Sequence, residues 1–190
     1  MLSMAINRYS LVLSVLIILL GSTILFSIIG YFFIPKIRER IVTLSYTKIL
    51  ELIGIFSTIA TLGALTYQFV YLTPVCLDCW WQRIFMFPLE IIVLVSLLTK
   101  NKLNHILIGV MASCGILLSA HHYGEHFERY VLGNPELSPC SPTPGEPLCG
   151  LAPTLTFGFI TIPFMAFFVF ATIIWLSYLA HQKSKESLVA

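Results

Sequence analysis

The chain has 190 residues, of which 57% are hydrophobic and 11% are charged. A soluble globule of this size needs more polar surface than this composition supplies, so the composition excludes an ordinary soluble domain and predicts an all-α membrane protein. The formal net charge of +2 is small and dispersed, and the lack of a basic tract argues against nucleic acid as a partner.

Five apolar stretches of helical length follow in chain order, and we interpret each as a membrane span. They are Leu11–Ile34, Leu52–Leu72, Ile84–Thr99, Ile106–Ala120 and Phe157–Leu179. A spanning helix needs about 20 apolar residues, so the first, second and fifth stretches qualify directly. The third and fourth reach adequate length if their Arg83 and His121 ends extend into the membrane interface. The short polar turn between them predicts a helical hairpin.

Lysine and arginine are distributed unevenly between the polar segments, which predicts the orientation of the chain. Eight of the 11 fall in three alternate segments, namely Lys36, Arg38, Arg40, Lys48, Lys100, Lys102, Lys183 and Lys185. Positively charged loops remain in the cytoplasm. We therefore expect the N-terminus and both cysteine-containing loops outside, and the C-terminus inside.

The first stretch has an alternative interpretation as a cleaved secretory signal. Cleavage near Gly30 would leave the basic segment Lys36–Lys48 outside, against the charge bias. The stretch is also longer than the apolar core of a signal peptide, which is roughly 7–15 residues. We therefore expect an uncleaved helix.

The long segment His121–Thr156 is predicted to be an irregular external loop. It contains several Gly and Ser residues and six prolines, which are Pro135, Pro139, Pro142, Pro144, Pro147 and Pro153. Proline clusters break regular structure. We expect a protein partner to dock on this loop.

Cys76 and Cys79 form a CxxC pair at the start of the third span. This spacing closes a small ring that adds little chain-entropy stabilisation, so the pair indicates an exchangeable disulfide more than a structural one. The helix N-terminus and Arg83, one turn further on, are expected to favour the Cys79 thiolate. The second pair, Cys140 and Cys149, is equally consistent with an ordinary structural disulfide.

Other uses of these residues remain open from the sequence. Four cysteines are enough for a tetrahedral zinc site, although the nine-residue spacing of the second pair is wide for one. Cys114 lies within a span and is interpreted as a packing residue. Arg83 either reaches the lipid headgroups or binds an oxygen of a lipid-soluble electron acceptor.

Several polar and aromatic residues near the CxxC pair allow both a structural and a functional interpretation. Trp80 and Trp81 fit an interfacial aromatic belt or the wall of an acceptor pocket. A histidine cluster lies where the fourth span ends, formed by His121, His122 and His126. One of these histidines is a candidate for donating a proton or hydrogen bond to a reduced quinone. Glu90 is interpreted as a structural polar contact on the face of Arg83.

These patterns together resemble the DsbB and BdbC family of disulfide bond formation proteins, membrane thiol oxidases that reoxidise a thioredoxin-like protein and pass electrons to quinone. The resemblance rests on Cys76–Arg83, Ser119–Tyr123, the Cys140 and Cys149 pair, and Phe157–Phe164. It implies a four-helix transmembrane bundle of the DsbB type, to which this chain adds one N-terminal transmembrane helix. The implied units are residues 1–48 with the extra helix and a cytoplasmic loop, residues 49–182 with the redox bundle, and a cytoplasmic tail at residues 183–190.

The resemblance also implies the site residues and the direction of electron flow. The implied residues are Cys76, Cys79, Cys140 and Cys149 for disulfide exchange, and Arg83 and His122 for quinone binding. A thioredoxin-like thiol oxidase of the DsbA or BdbD type would reduce the second pair, which would reduce the CxxC pair, which would reduce ubiquinone or menaquinone. This implies a location in the inner (plasma) membrane of a bacterium, in contact with lipid and quinone.

Two other classes of function use the same residues. One is a vitamin K epoxide reductase-like enzyme or a membrane reductase that carries electrons outward, and the redox state of the cysteines in respiring cells would separate it from an oxidase. The other is a non-enzymatic membrane protein with two structural disulfides. In that class, loss of Cys76 or Cys79 would impair folding and leave other secreted proteins oxidised normally.

Overall fold

The computed structural model describes residues 2–99, 104–133 and 154–189, and these residues form six helices. The helices are α1 (Leu2–Phe33), α2 (Pro35–Val42), α3 (Tyr46–Phe69), α4 (Leu77–Thr99), α5 (Asn104–Tyr130) and α6 (Ile162–Val189). Five of them, all except the short α2, are long and apolar enough to cross a membrane. The predicted all-α membrane fold is confirmed.

Helices α3 to α6 form a four-helix bundle in which each helix packs against two neighbours. α3 contacts α4 and α6, and α5 also contacts α4 and α6. The core between them contains the fully buried Phe170 and Ile53. A Cβ atom on Gly115 would lie 2.3 Å from the Phe170 ring, so the glycine allows α5 and α6 to pack closely at this level.

Helix α1 packs on the outside of this bundle, mainly against α6. A Cβ atom on Gly21 would lie 2.8 Å from the Phe168 ring, so the two helices approach closely there. Further along α1, the indole nitrogen of Trp175 donates a hydrogen bond to Ser27 Oγ at 3.1 Å. The extra helix predicted from the sequence is therefore present and attached to the bundle.

The helix boundaries correct several sequence-based ones. α3 begins at Tyr46 because Ser45 caps it, its side chain accepting a hydrogen bond from Lys48 N at 3.3 Å. The basic segment after α1 was expected to be a loop, but Pro35 starts the short helix α2. α4 starts at Leu77, so its first turn contains part of the CxxC motif.

The largest correction concerns the predicted loop His121–Thr156. α5 continues to Tyr130, because residues 121–130 contain no proline and place His122 and Glu125 against the bundle. At the other end of this segment, residues 156–160 form a tight turn closed by a bridge between Thr156 and Ile160. Residues 134–153, with Cys140 and Cys149, lie outside the described residues.

Candidate active site

Cys76 occupies the position immediately before α4 and caps its N-terminus. Its sulfur accepts a hydrogen bond from Cys79 N at 3.3 Å, and its carbonyl accepts one from Trp80 N at 3.2 Å. The two sulfurs lie 2.8 Å apart, with Cys76 buried and Cys79 half-buried. The pair is therefore arranged for interconversion between dithiol and disulfide with little backbone movement.

The surroundings of Cys76 stabilise a negative charge on its sulfur. A hydrogen bond from the Cys79 thiol lowers the pKa of the Cys76 thiol most, and His122 lowers it further, whereas burial acts in the opposite direction. The positive end of the α4 dipole acts in the same sense as the hydrogen bonds. The sequence predicted the thiolate at Cys79, but the surroundings favour it at Cys76, because the Cys76 sulfur is hydrogen-bonded by the Cys79 thiol, His122 and the Cys79 backbone N–H.

His122 is the member of the histidine cluster that lies against the thiols. Its Nε2 is 3.7 Å from Cys76 Sγ, and its Nδ1 is 3.0 Å from the amide nitrogen of Gln82. An amide nitrogen can only donate, so Nδ1 accepts and the proton of the neutral imidazole belongs on Nε2, facing the sulfur. The neighbouring His121 is exposed.

Arg83 is held by α3 inside the protein. One of its terminal nitrogens donates to Gln68 Oε1, and the other donates to the Ala64 carbonyl at 3.2 Å. The side chain is 8% exposed, and its guanidinium carbon lies 5.3 Å from the centre of the Trp80 ring. These contacts argue against the alternative in which Arg83 extends to the lipid headgroups.

A cavity of about 610 Å³ opens beside the thiols. Its polar end is lined by Cys76, Cys79, Arg83 and His122, and the remaining walls are mostly apolar side chains of α1, α3, α4 and α6. Protein interiors are close-packed and contain few voids larger than a water molecule. A cavity of this size, apolar with a few convergent polar groups, is typical of a binding site for a small apolar molecule.

The structure also reveals site residues that the sequence analysis missed. Gln68 and Gln82 position Arg83 and His122, and the sequence signal for both was an amide side chain within an apolar span. Glu125 is buried on α5, with a carboxylate oxygen within 4.8 Å of potential ligand atoms of Asp78 and His121. Glu90 has a buried carboxylate oxygen with no hydrogen-bond partner among the described residues, so the predicted contact role is not supported.

Cys76, Cys79 and His122 also form a potential metal-ligand set. Their three ligand atoms lie within 4.8 Å of one another. The zinc alternative raised by the sequence used four cysteines, whereas the described geometry offers two sulfurs and one imidazole. A site of this kind requires both sulfurs as thiolates, so it is incompatible with a Cys76–Cys79 disulfide.

Comparison with known proteins identifies the family. The family model described as disulfide bond formation protein DsbB matches residues 46–180, well over half of the chain. The chain belongs to this family. Its role is therefore that of a membrane oxidoreductase that acts in disulfide bond formation.

Curated bacterial relatives match over most of the chain. Disulfide bond formation protein C of Bacillus subtilis is 33% identical over 69% of this chain and 91% of its own length. A prophage-derived disulfide bond formation protein B of the same species is 29% identical over 74% of this chain and 91% of its own. A probable disulfide formation protein C of Halalkalibacterium halodurans is 34% identical over 60% and 79%. No solved structure matches significantly.

The match to the family begins at the first residue of α3 and ends near the end of the membrane-spanning part of α6. Helices α1 and α2 therefore lie outside it. The four-helix bundle and the CxxC pair lie within the match.

Proposed function

We propose that this protein is a thiol oxidase that passes electrons from a thioredoxin-like partner, through two cysteine pairs, to a membrane quinone. The observation that carries the proposal is the position of Cys76 and Cys79 at the polar end of an apolar cavity of about 610 Å³. An electron acceptor that reaches a dithiol at this position must be soluble in lipid and must accept two electrons. A quinone has both properties.

The residues around the thiols suit this acceptor. Arg83 is fixed by Gln68 and Ala64, so its orientation is set before a ligand arrives, and a guanidinium has further N–H groups to offer a quinone oxygen. His122 lies beside Cys76, where its Nε2 proton can pass toward the reacting atoms. Exclusion of water by the apolar walls strengthens both interactions.

The two cysteine pairs and the quinone account for every electron and proton in the reaction. The reduced partner gives its two electrons and two protons to the Cys140–Cys149 disulfide by thiol–disulfide exchange, and that pair reduces Cys76–Cys79 in the same way. Reoxidation of Cys76 and Cys79 forms one sulfur–sulfur bond, and the released two electrons and two protons convert the quinone to a quinol. We assign Cys79 as the sulfur that reacts with the quinone, after its proton has moved to the Cys76 thiolate 2.8 Å away, and Cys140 as the sulfur that the partner attacks.

The proposed orientation places the thiol end of the bundle outside the cytoplasm. Arg40 and Lys48 flank the start of α3, at the opposite end of the bundle from Cys76, in agreement with the charge bias. Membrane-impermeant thiol reagents should label a cysteine introduced near Glu136, but not one introduced near Lys102, in intact cells. Labelling at both positions would contradict this orientation.

The proposal is tested with the purified full-length protein, a reduced thioredoxin-like protein and a soluble quinone analogue. We expect quinone reduction that depends on both the protein and the reduced partner, followed by the change in quinone absorbance. A protein that oxidises the partner only with molecular oxygen, or not at all, would contradict it. In respiring cells Cys76 and Cys79 should be mostly disulfide-bonded, whereas a reductase would keep them mostly as thiols.

The order of the two pairs is tested separately by Cys149→Ala. Removal of the resolving thiol should trap a mixed disulfide between Cys140 and the partner, visible as a higher-mass species on a non-reducing gel. The matched variant Cys79→Ala should not trap the partner on Cys76. A partner linked through Cys76 in either variant would reverse the proposed order.

A further inference from the structure

We infer that helix α1, which lies outside the family match, is the outer wall of the acceptor cavity and selects quinones by their apolar tail. The inference rests on the proposed function, because it names the part of the quinone that α1 would contact. It assigns a role to a helix that lies outside the residues matched by the family model.

The first support is the pattern of α1 residues that line the cavity. Leu13, Leu16, Ile17, Leu20 and Thr23 line it together with Leu19. These positions follow the i, i+3, i+4, i+7 spacing of one helix face. From Leu13 to Thr23 this face is about 15 Å long at 1.5 Å per residue, which extends the cavity from the thiols well into the apolar part of the membrane.

The second support is that α1 is attached on both sides of this face. Before it, Ser10 Oγ is hydrogen-bonded to the Tyr67 hydroxyl of α3 at 2.8 Å, and Tyr9 packs edge-on against Tyr67. After it, Ser27 accepts the hydrogen bond from Trp175 of α6. α1 is therefore attached to α3 before this face and to α6 after it, and the face between the two attachments lines the cavity.

The third support is the difference in chemistry between the two ends of the cavity. Polar and redox groups gather at the thiol end, whereas the α1 residues are aliphatic apart from Thr23. A ligand that fills both ends has a reducible polar head and an apolar tail. A quinone with an isoprenoid tail has this composition, with its head at Cys79 and Arg83 and the first part of its tail against α1.

Contact between the tail and α1 should therefore contribute to quinone affinity through van der Waals packing, because a tail that moves from lipid into the cavity exchanges one apolar environment for another. The test uses Leu20→Trp, which fills the cavity from the α1 side. The matched control is Leu25→Trp on the same helix, because Leu25 is 60% exposed on the outer surface and does not line the cavity. Initial rates are measured in phospholipid vesicles with a prenylated quinone and with the tailless form of the same head group.

We expect Leu20→Trp to raise the KM for the prenylated quinone about tenfold and to leave kcat and the KM for the tailless quinone unchanged. Leu25→Trp should change neither. Equal KM values for the prenylated quinone in the parent and Leu20→Trp would overturn the role of α1 and leave the proposed function intact. A parent protein that reduces neither quinone would overturn both.

A second measurement does not depend on how well the variants fold. A quinone with a photoreactive group on the tail, near the head, should label the parent protein within Leu13–Thr23, and excess unlabelled prenylated quinone should compete. Competition by the tailless quinone should be weaker. Labelling confined to α3 and α6 would show that the tail leaves the cavity elsewhere and would overturn the inference.

Discussion

The two ends of the four-helix bundle both contain buried histidines, yet their surroundings differ. At the thiol end, His122 contacts Cys76 and Gln82 beside a cavity. At the opposite end, His105 Nε2 lies 3.0 Å from His181 Nδ1, and Tyr46 closes the cluster with its hydroxyl 3.5 Å from His105 Nδ1. The first histidine faces a nucleophile and open space, and the second faces other protein groups.

This contrast shows that a buried histidine in a membrane helix does not by itself indicate function. The cluster of Tyr46, His105 and His181 joins α3, α5 and α6, so it is placed to hold three helices together. None of its three residues lines the cavity that the described part of the chain forms beside the thiols. We therefore expect changes at the thiol end to alter turnover, and changes at the opposite end to alter stability.

The largest expected effect is that of Cys79→Ser. The variant cannot form the Cys76–Cys79 disulfide, so quinone reduction with a reduced partner should fall to the background rate. Cys114→Ser is the matched control, because Cys114 lies on α5 in the membrane-spanning part and does not line the cavity. It should retain nearly full activity. Zinc bound stoichiometrically by the active parent protein, and lost in Cys79→Ser, would instead favour the metal alternative.

The next largest effect should come from Arg83→Ala. Loss of a hydrogen bond from a charged donor costs about 1.5–3 kcal/mol, so the apparent KM for quinone should rise roughly ten- to hundredfold. Disulfide exchange between the partner and Cys140–Cys149 should continue, as measured by the redox state of the partner. Arg83→Lys should rescue poorly, since an ammonium group does not reproduce the planar donor pair.

A smaller effect of the same kind is expected for Gln68→Leu. Gln68 lines the cavity but carries no charge, and its role is to orient Arg83 through a hydrogen bond. The KM for quinone should rise less than in Arg83→Ala, and the double variant should be close to Arg83→Ala alone. Unchanged quinone kinetics in both single variants would show that the quinone head group does not bind at Arg83.

The sequence was sufficient for the number of spans and for the proximity of Cys76 and Arg83, because apolar length and a CxxC spacing are local properties. The four-helix bundle was implied by the family resemblance. It failed where packing decides the result. The extension of α5 to Tyr130 depends on burial of His122 and Glu125 against other helices, which an apolar window does not detect. The choice of His122 over His121 came from the family resemblance, because the residues alone do not show which face of α5 meets α4. The cavity beside α1 could not be predicted because residues of five helices, α1, α3, α4, α5 and α6, line it.

At the opposite end of the bundle, His181→Phe should lower stability without lowering turnover. The substitution removes the hydrogen bond between His181 and His105, which typically contributes about 0.5–1.5 kcal/mol. The thermal unfolding midpoint in detergent should fall, while kcat and the KM for quinone stay at parent values. A loss of turnover larger than the loss of folded protein would place His105 and His181 in the electron or proton pathway, and the contrast between the two ends would disappear.

The smallest expected effect is a shift in the pH dependence of Cys76. The pKa of the Cys76 thiol is lowered, so its thiolate is present above the folded-state pKa and is lost as the pH falls through that value. The alkylation rate of the reduced protein should therefore change little over the pH range just below the ordinary thiol pKa of about 8.5. His122→Phe removes one of the groups that lower the pKa, and one hydrogen bond of about 1 kcal/mol corresponds to somewhat less than one pH unit. The alkylation curve should therefore move toward higher pH by that amount. His181→Phe, at the opposite end, should leave the curve in place. If His122→Phe also leaves it in place, the Cys79 hydrogen bond and the α4 dipole stabilise the thiolate without help from the imidazole, and His122 acts on the quinone instead.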